Sequence, residues 1–396
     1  MHETFAKSQL RLPAAALLAF ALTAGLHAQN FSSGSTGADG DLIVNAQGVV
    51  TPFTAAPVGG GTVYNFNTIQ IASGSTLKIS GANFTSPLYF LAKGAVTIAG
   101  TLDISGQAGF GPSTATQRTQ GMTVPGPGGY AGGAAGYGSV PAQPGLGPLG
   151  GAISGGCTAD SRYAGNGGFG GNAFLVPLVG GSGGGGWSTS ASGGAGGGAL
   201  LIASSLSITV NGAINANGGS GANGAGGGAG GGIRLVAPSI MGSGSIWAYG
   251  GQGACSGAPG VIRMEAYQNT YNVGNAGPDL YTAAPSNLFL PAANSVPAIT
   301  VTSIGGVAIT TYTGSFVVPD VLLNSASPLT VVIQANSIPA GTIPTVYFLT
   351  ENFPDQKIAA APLTAVAGSS TATTTTATVT LNPGYSVGFV TATWKQ

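Results

Sequence analysis

Five glycines recur at a strict spacing of three, Gly218, Gly221, Gly224, Gly227 and Gly230, and no other pattern in the chain restricts its fold as severely. Three residues per turn is the polyproline II period. Glycine at every third position leaves one bare edge, along which a neighbouring extended chain can approach. Shorter runs repeat the spacing at Gly126, Gly129 and Gly132, at Gly165, Gly168 and Gly171, and at Gly180, Gly183 and Gly186. From Gly126 to Gly232 the chain holds 40 of its 72 glycines but only two charged residues, Asp160 and Arg162. Ordering glycine costs about 0.5–1 kcal/mol more than ordering alanine. Such a stretch therefore either remains a mobile spacer or orders by close backbone packing. The apolar residues inside it, Phe169, Phe174, Leu175, Val176, Leu178, Val179 and Trp187, favour packing. Collagen is excluded by the broken period and by the lack of proline between the glycines.

Around these insertions four segments align with one another, beginning at Leu88 (LYFLAKGAVTIAGTLDISGQAG), Leu200 (LLIASSLSITVNGAINANGGSG), Ile233 (IRLVAPSIMGSGSIWAYGGQG) and Ile262 (IRMEAYQNTY). Each opens on an apolar strand, turns at small residues and enters an alternating run. A repeat of this kind predicts a parallel β-helix, whose rungs stack about 4.8 Å apart and bury an apolar face that no single rung could bury. The alignment places Leu201, Arg234 and Arg263 at one rung position and Ile202, Leu235 and Met264 at the next, so that variable and apolar positions alternate outward and inward. On the outward face Glu265 is placed to relieve the repulsion of Arg234 and Arg263. We expect this group to be a solvated ion pair worth about 0–1 kcal/mol; the alternative is an anion- or sugar-binding strip.

The first 28 residues read as a secretory leader: Lys7 and Arg11 at the start, an apolar run from Leu12 to Gly25, and Leu26-His27-Ala28 before Gln29 as the cleavage site. The mature protein is therefore expected outside the cell or on its surface, with no integral membrane span. Taking Lys7 and Arg11 from ten bases and Glu3 from ten acids leaves eight and nine, which argues against a nucleic-acid partner. Two cysteines in an exported chain, Cys157 and Cys255, are expected to form a disulfide. Zinc is not expected, because both histidines, His2 and His27, lie in the leader.

After Tyr271 the repeat stops, and a connector (272–297) carrying Pro278, Pro285, Pro291 and Pro297 leads to a third region. The domains expected are the leader (1–28), a glycine-rich β-helix domain (29–271), the linker (272–297) and a C-terminal β-sandwich (298–396). Alternating runs spaced by turns, about seven in 99 residues, suit an immunoglobulin- or fibronectin-like sandwich. Trp394 is placed in its core or at its rim. The overall class is all-β.

Catalytic machinery is scarce. A serine triad needs a histidine that export removes, no GK[ST] sequence marks a phosphate loop, and calcium-binding glycine repeats need an aspartate in every copy. The acids available to a β-helix lyase or hydrolase are Asp39, Asp41, Asp103, Asp160 and Glu265. Asp39 and Asp41 flank Gly40, where a polar turn before the first strand accounts for them. No catalytic residue, cofactor or metal is assigned.

The segments AVTIAGTLDISGQAG, GGGALLIASSLSITVNGAINANGGSG and GGIRLVAPSIMGSGSI resemble the glycine-rich secreted parallel β-helix proteins of environmental bacteria, over roughly Thr62 to Tyr271. The resemblance implies architecture and carries over no functional residue. Glycine-rich polyproline II bundles also occur in certain phage receptor-binding tips and ice-binding proteins, a likeness of local structure alone. The expected function is that of a secreted or cell-surface structural or adhesive protein without catalysis, its partner a surface glycan, matrix or another surface protein. The alternative is a polysaccharide-binding or polysaccharide-degrading β-helix protein. Ice binding, suggested by the threonine run from Thr371, is less well founded because the run does not recur from rung to rung.

Overall fold

A computed structural model describes residues 30–58, 60–111, 121–153, 165–187, 191–292, 297–309, 321–324, 328–350 and 353–392. The predicted leader, Cys157, Asp160, Arg162, Trp394 and most of the predicted strand at 314–323 lie outside the described residues. Among those described the chain is all-β, with one 3-10 turn at Val273–Asn275 as its helical content.

The first sixteen strands pair only in parallel. They come in successive repeats: β1 (Leu42–Val44) and β2 (Val50–Pro52); β3 (Val63–Phe66), β4 (Ile69–Ile71) and β5 (Thr76–Lys78); β6 (Leu88–Ala92), β7 (Val96–Ile98) and β8 (Thr101–Asp103); β9 (Ala199–Ser204), β10 (Ser207–Val210) and β11 (Ala213–Asn215); β12 (Gly232–Met241) and β13 (Ser245–Trp247); β14 (Val261–Asn269) and β15 (Ala276–Gly277); and β16 (Asp279–Ala283). Each strand hydrogen-bonds to its equivalent in the next repeat. The result is a ten-stranded sheet and a six-stranded sheet ordered β15-β13-β11-β8-β5-β2.

Period-two side-chain alternation decides which residues become core. Leu42, Ile69, Val96, Ile208 and Ile240 fall in one register line of the larger sheet, and Leu77, Leu102, Ile214 and Ile246 in one line of the smaller. Apart from the partly buried Leu42, all of these are buried in a single apolar cluster. Leu201, Arg234 and Arg263 share one register line, and Ile202, Leu235 and Met264 the next, as the alignment of the repeats requires. The β3 end of the core is filled by aromatic rings, with Phe90 edge-on to Phe53, Tyr64 and Phe66 at 5.3–5.4 Å between centroids.

The glycine-rich segments all depart after a repeat's strand in the six-stranded sheet, between β8 and β9, β11 and β12, and β13 and β14. Their hydrogen bonds recur every three residues. Gly193 and Gly196 donate to Gly133 and Tyr130, Gly194 and Gly197 to Gly226 and Ala229, and Ala195 and Gly198 to Gln107 and Ile104. Three consecutive amides thus serve three different neighbours, and the pattern repeats on the next turn. A β-carbon at Gly180, Gly183 or Gly186 would meet the carbonyl oxygens of Gly128, Ala131 and Ala134 at 2.6, 2.0 and 2.2 Å. These three glycines therefore present one bare edge to one neighbouring segment, whereas a β-carbon at Gly168 or Gly171 would meet the side chains of Leu149 or Phe169. The run of five does not form one rod. It turns back at Asn223-Gly224, where Gly224 has φ +92°, and Gly228 then donates to Gly219 and Gly231 to Ala216.

Beyond the connector all pairing is antiparallel. Strands β17 (Ala298–Ile304), β18 (Val307–Ala308), β19 (Leu329–Asn336), β20 (Thr345–Thr350), β21 (Gln356–Ala359), β22 (Thr364–Ala365), β23 (Ala372–Val379) and β24 (Ser386–Thr391) form a five-stranded sheet, β18-β17-β19-β23-β22, and a three-stranded sheet, β21-β20-β24. Val331, Ile333, Ala377 and Val379 of the first share an apolar cluster with Val346 and Phe348 of the second. The other face of the three-stranded sheet packs Leu349 and Val387 on Ala134 of the glycine-rich insertion. Tyr137 Oη donates to the Phe353 carbonyl there, and Gln143 Nε2 to Asp355 Oδ2 at 2.6 Å.

Candidate functional site

Each described acid from the sequence reading is bonded into the fold. Asp39 accepts the backbone amides of Val58 and Asn65, and Asp41 accepts the amide and hydroxyl of Thr68. Both carboxylates tie the turn before β1 to the next repeat, the structural role expected of them. Asp103 accepts Lys78 Nζ at 2.7 Å and the Ser105 amide at 2.9 Å.

Glu265 corrects the expectation of a solvated ion pair. Its side chain is fully buried, that of Arg234 is 3% exposed and that of Arg263 is 11% exposed. Glu265 Oε1 accepts Arg234 Nε at 2.9 Å and Arg263 Nε at 2.6 Å, while Oε2 accepts the Ser286 amide at 2.8 Å and its hydroxyl at 2.6 Å. Burial alone would raise the Glu265 pKa, but hydrogen bonds from Arg234, Ser286 and Arg263 outweigh it and hold the carboxyl below its ordinary value of 4.5. The group is buried because the outer face of this part of the sheet is covered. Leu175 and Leu178 from the insertion pack there on Tyr89, Leu201 and Val236, with Leu288 of the connector beside them. Arg263 also donates to the Ala173 carbonyl, and its guanidinium lies 5.2 Å from the Phe174 ring centre. No sequence signal within the repeats reports a cover that comes from residues 169–178.

Cys255 is buried and not free, and it caps the run at Gly227 through its carbonyl. Its predicted partner Cys157 lies outside the described residues. The threonine run divides between two faces: Thr373 and Thr375 are buried and donate to backbone carbonyls, which leaves Thr376 and Thr378 exposed. Among the described residues no cluster of three or more His, Cys, Asp or Glu could hold a metal, and no helix is long and apolar enough to cross a membrane.

What the fold leaves exposed is more informative. The outer face of the six-stranded sheet aligns Lys78, Asp103, Asn215 and Trp247 in one register line. Two residues further along each repeat, the Asn217 amide donates to Ser105 Oγ at 3.2 Å and the Tyr249 amide to Asn217 Oδ1 at 2.8 Å. Trp247 and Tyr249 are 42% and 48% exposed and meet edge to face, with centroids 6.5 Å apart. Asp103 stood out in the sequence, but neither aromatic residue did. Their positions, one and three residues after the inward Ile246, were the available signal.

Comparison with known proteins finds no matching family model, no matching curated protein and no matching solved structure.

Proposed function

We propose that this is an exported structural or adhesive protein of the cell surface, acting without catalysis. In this reading the parallel sheets are the faces of a β-helix and the period-three segments are a packed polyproline II bundle. The antiparallel sheets are an immunoglobulin-like sandwich that spaces or docks the whole, and a Cys157–Cys255 disulfide closes the bundle. The observation that carries the proposal is the fate of the acids: Asp39, Asp41, Asp103 and Glu265 are all committed to backbone amides or cations of the fold. A glycan-cleaving site needs a pair of carboxyls free to exchange protons across a substrate bond. The hydrogen-bonding capacity of this chain goes instead into fixing its backbone, which suits a rigid display scaffold.

The test is binding of the purified full chain to cells, matrix and immobilised glycans, with product analysis run alongside. Binding without turnover is expected. Depolymerisation of a polysaccharide that is abolished by Asp103→Ala or Glu265→Ala would overturn the proposal in favour of a lyase or hydrolase.

A further inference from the structure

The geometry points to a binding strip for a neutral, linear polysaccharide on the outer face of the six-stranded sheet, made by Trp247 and Tyr249 with Asn215, Asn217 and Asp103. This deepens the adhesive reading and rests on it. Parallel strands repeat at about 4.8 Å, so the register line from Lys78 through Asp103 and Asn215 to Trp247 is straight and about 14 Å long. An oligosaccharide in an extended conformation matches such a line. Its pyranose rings present C–H faces that stack on aromatic rings, and pairs of adjacent hydroxyls that bond to planar carboxylate and amide groups.

Three features select this chemistry. The two rings are exposed and held at an angle by their edge-to-face contact, forming a corner at one end of the strip. Asn215 lies between Asp103 and Trp247, and its Oδ1 is buried with no hydrogen-bond partner. An unmet acceptor is costly, and rotation of the amide towards a ligand hydroxyl relieves it. The third feature is charge. Lys78 and Asp103 neutralise each other at 2.7 Å, their side chains one-third and one-quarter exposed, so the line carries no net charge. That matches a neutral chain and offers an acidic one no counter-charge. Single-stranded nucleic acid also stacks on aromatic residues, but it needs a cationic groove, and the cation of this line is already paired.

The test is calorimetric titration of the purified full chain with cellohexaose, xylohexaose and hexagalacturonate. At least one neutral hexasaccharide should bind, and hexagalacturonate should bind more weakly. Trp247→Ala and Tyr249→Ala should each weaken binding about tenfold or more, Trp247→Phe should retain most of it, and Asn215→Ala should weaken it less. Leu206→Ala, at the exposed turn between β9 and β10, should leave it unchanged. Near-ultraviolet circular dichroism keeps loss of binding separate from loss of fold. The strip is overturned if no neutral hexasaccharide binds, if the two alanine variants bind like the parent, or if the acidic hexamer binds best. Cell binding separates the two proposals. Cell adhesion by the parent with no hexasaccharide binding, or with hexasaccharide binding unchanged by Trp247→Ala, would leave the adhesive reading standing and remove the strip. Hexasaccharide binding through Trp247 without any cell adhesion would do the reverse.

Discussion

Replacing Glu265 by glutamine keeps the shape of the side chain and removes the charge that holds two buried guanidinium groups. The carboxylate accepts four hydrogen bonds, two on each oxygen, and donates none. A glutamine NH2 must face either the Nε–H groups of Arg234 and Arg263 or the amide of Ser286, so either orientation sets donor against donor. Removing one partner of a buried ion pair typically costs about 3–5 kcal/mol, and the partial exposure of Arg263 puts the expected cost near 3 kcal/mol. Replacing all three charged residues, as in Arg234→Met with Arg263→Met and Glu265→Leu, should by contrast be neutral or stabilising, since no charge then remains buried without a partner. Hydrogen exchange of the peptide around Ser286 is the direct readout, because that amide donates to Glu265. A cost of 3 kcal/mol accelerates its exchange about a hundredfold. The same bonds should weaken in acid. A carboxyl whose folded pKa is depressed contributes stability that is present above its ordinary value of 4.5 and lost as pH falls through the lower folded value. The local opening should therefore appear only below about pH 4.5, and the triple variant, which has no carboxyl at this position, should lack that pH dependence. Unchanged exchange in Glu265→Gln at neutral pH would refute the reasoning.

Other perturbations test the backbone packing, the buried tyrosines and the cysteines. Gly226→Ala places a methyl 1.2 Å from the Gly165 carbonyl oxygen and should abolish soluble expression or lower the unfolding midpoint sharply. Gly111→Ala, with nothing within 4 Å, should be neutral or slightly stabilising in the same denaturant titration. Burial raises Tyr64, with a further push from the Asp39 charge, and Tyr271 to pKa values of about 12. Their neutral forms are therefore favoured in the folded chain, a contribution present below pH 10 and lost as pH rises through about 12. Ultraviolet titration should show late-ionising tyrosines that become ordinary when the chain is unfolded. Thiol alkylation of the unreduced, unfolded protein should label neither Cys157 nor Cys255, and reduction should expose two thiols.

The repeats were legible because period two fixes facing and stacking fixes register, so that the alignment of Leu201 with Arg234 and Arg263 matches the register of β9, β12 and β14. The bare edge at Gly180, Gly183 and Gly186 was legible for the same reason, a period of three mapping onto one neighbour. What escaped was contact between elements distant in sequence. Arg234, Arg263 and Glu265 occupy outward positions, and outward means solvated only while nothing covers the sheet. Leu175 and Leu178 cover it from an insertion more than fifty residues away, and Ser286 comes from the connector. The turn at Asn223-Gly224 was hidden because an unbroken glycine spacing looks the same whether the chain continues or reverses. In the antiparallel part the short strands β18, β21 and β22 had no alternation long enough to read.

The shortage of charge follows from the same packing. In the run from Gly193 to Gly198 successive amides point to three different neighbours, so the segment has no side left for water and nowhere to send a charged side chain. A polypeptide bonded along three edges can be built only from residues with little or no side chain, and the alanines that interrupt the glycines, such as Ala195 and Ala229, are themselves fully buried. Polar surface must then be supplied by the strands and the turns. In the six-stranded sheet it takes the form of a neutral line of Lys78, Asp103 and Asn215 ending on Trp247, so the face free to meet another molecule is suited to hydroxyl groups rather than to ions. Reversing that balance offers a direct check. Asp103→Asn leaves the Lys78 ammonium without a counter-charge, and a strip read correctly as neutral should then gain affinity for hexagalacturonate relative to cellohexaose.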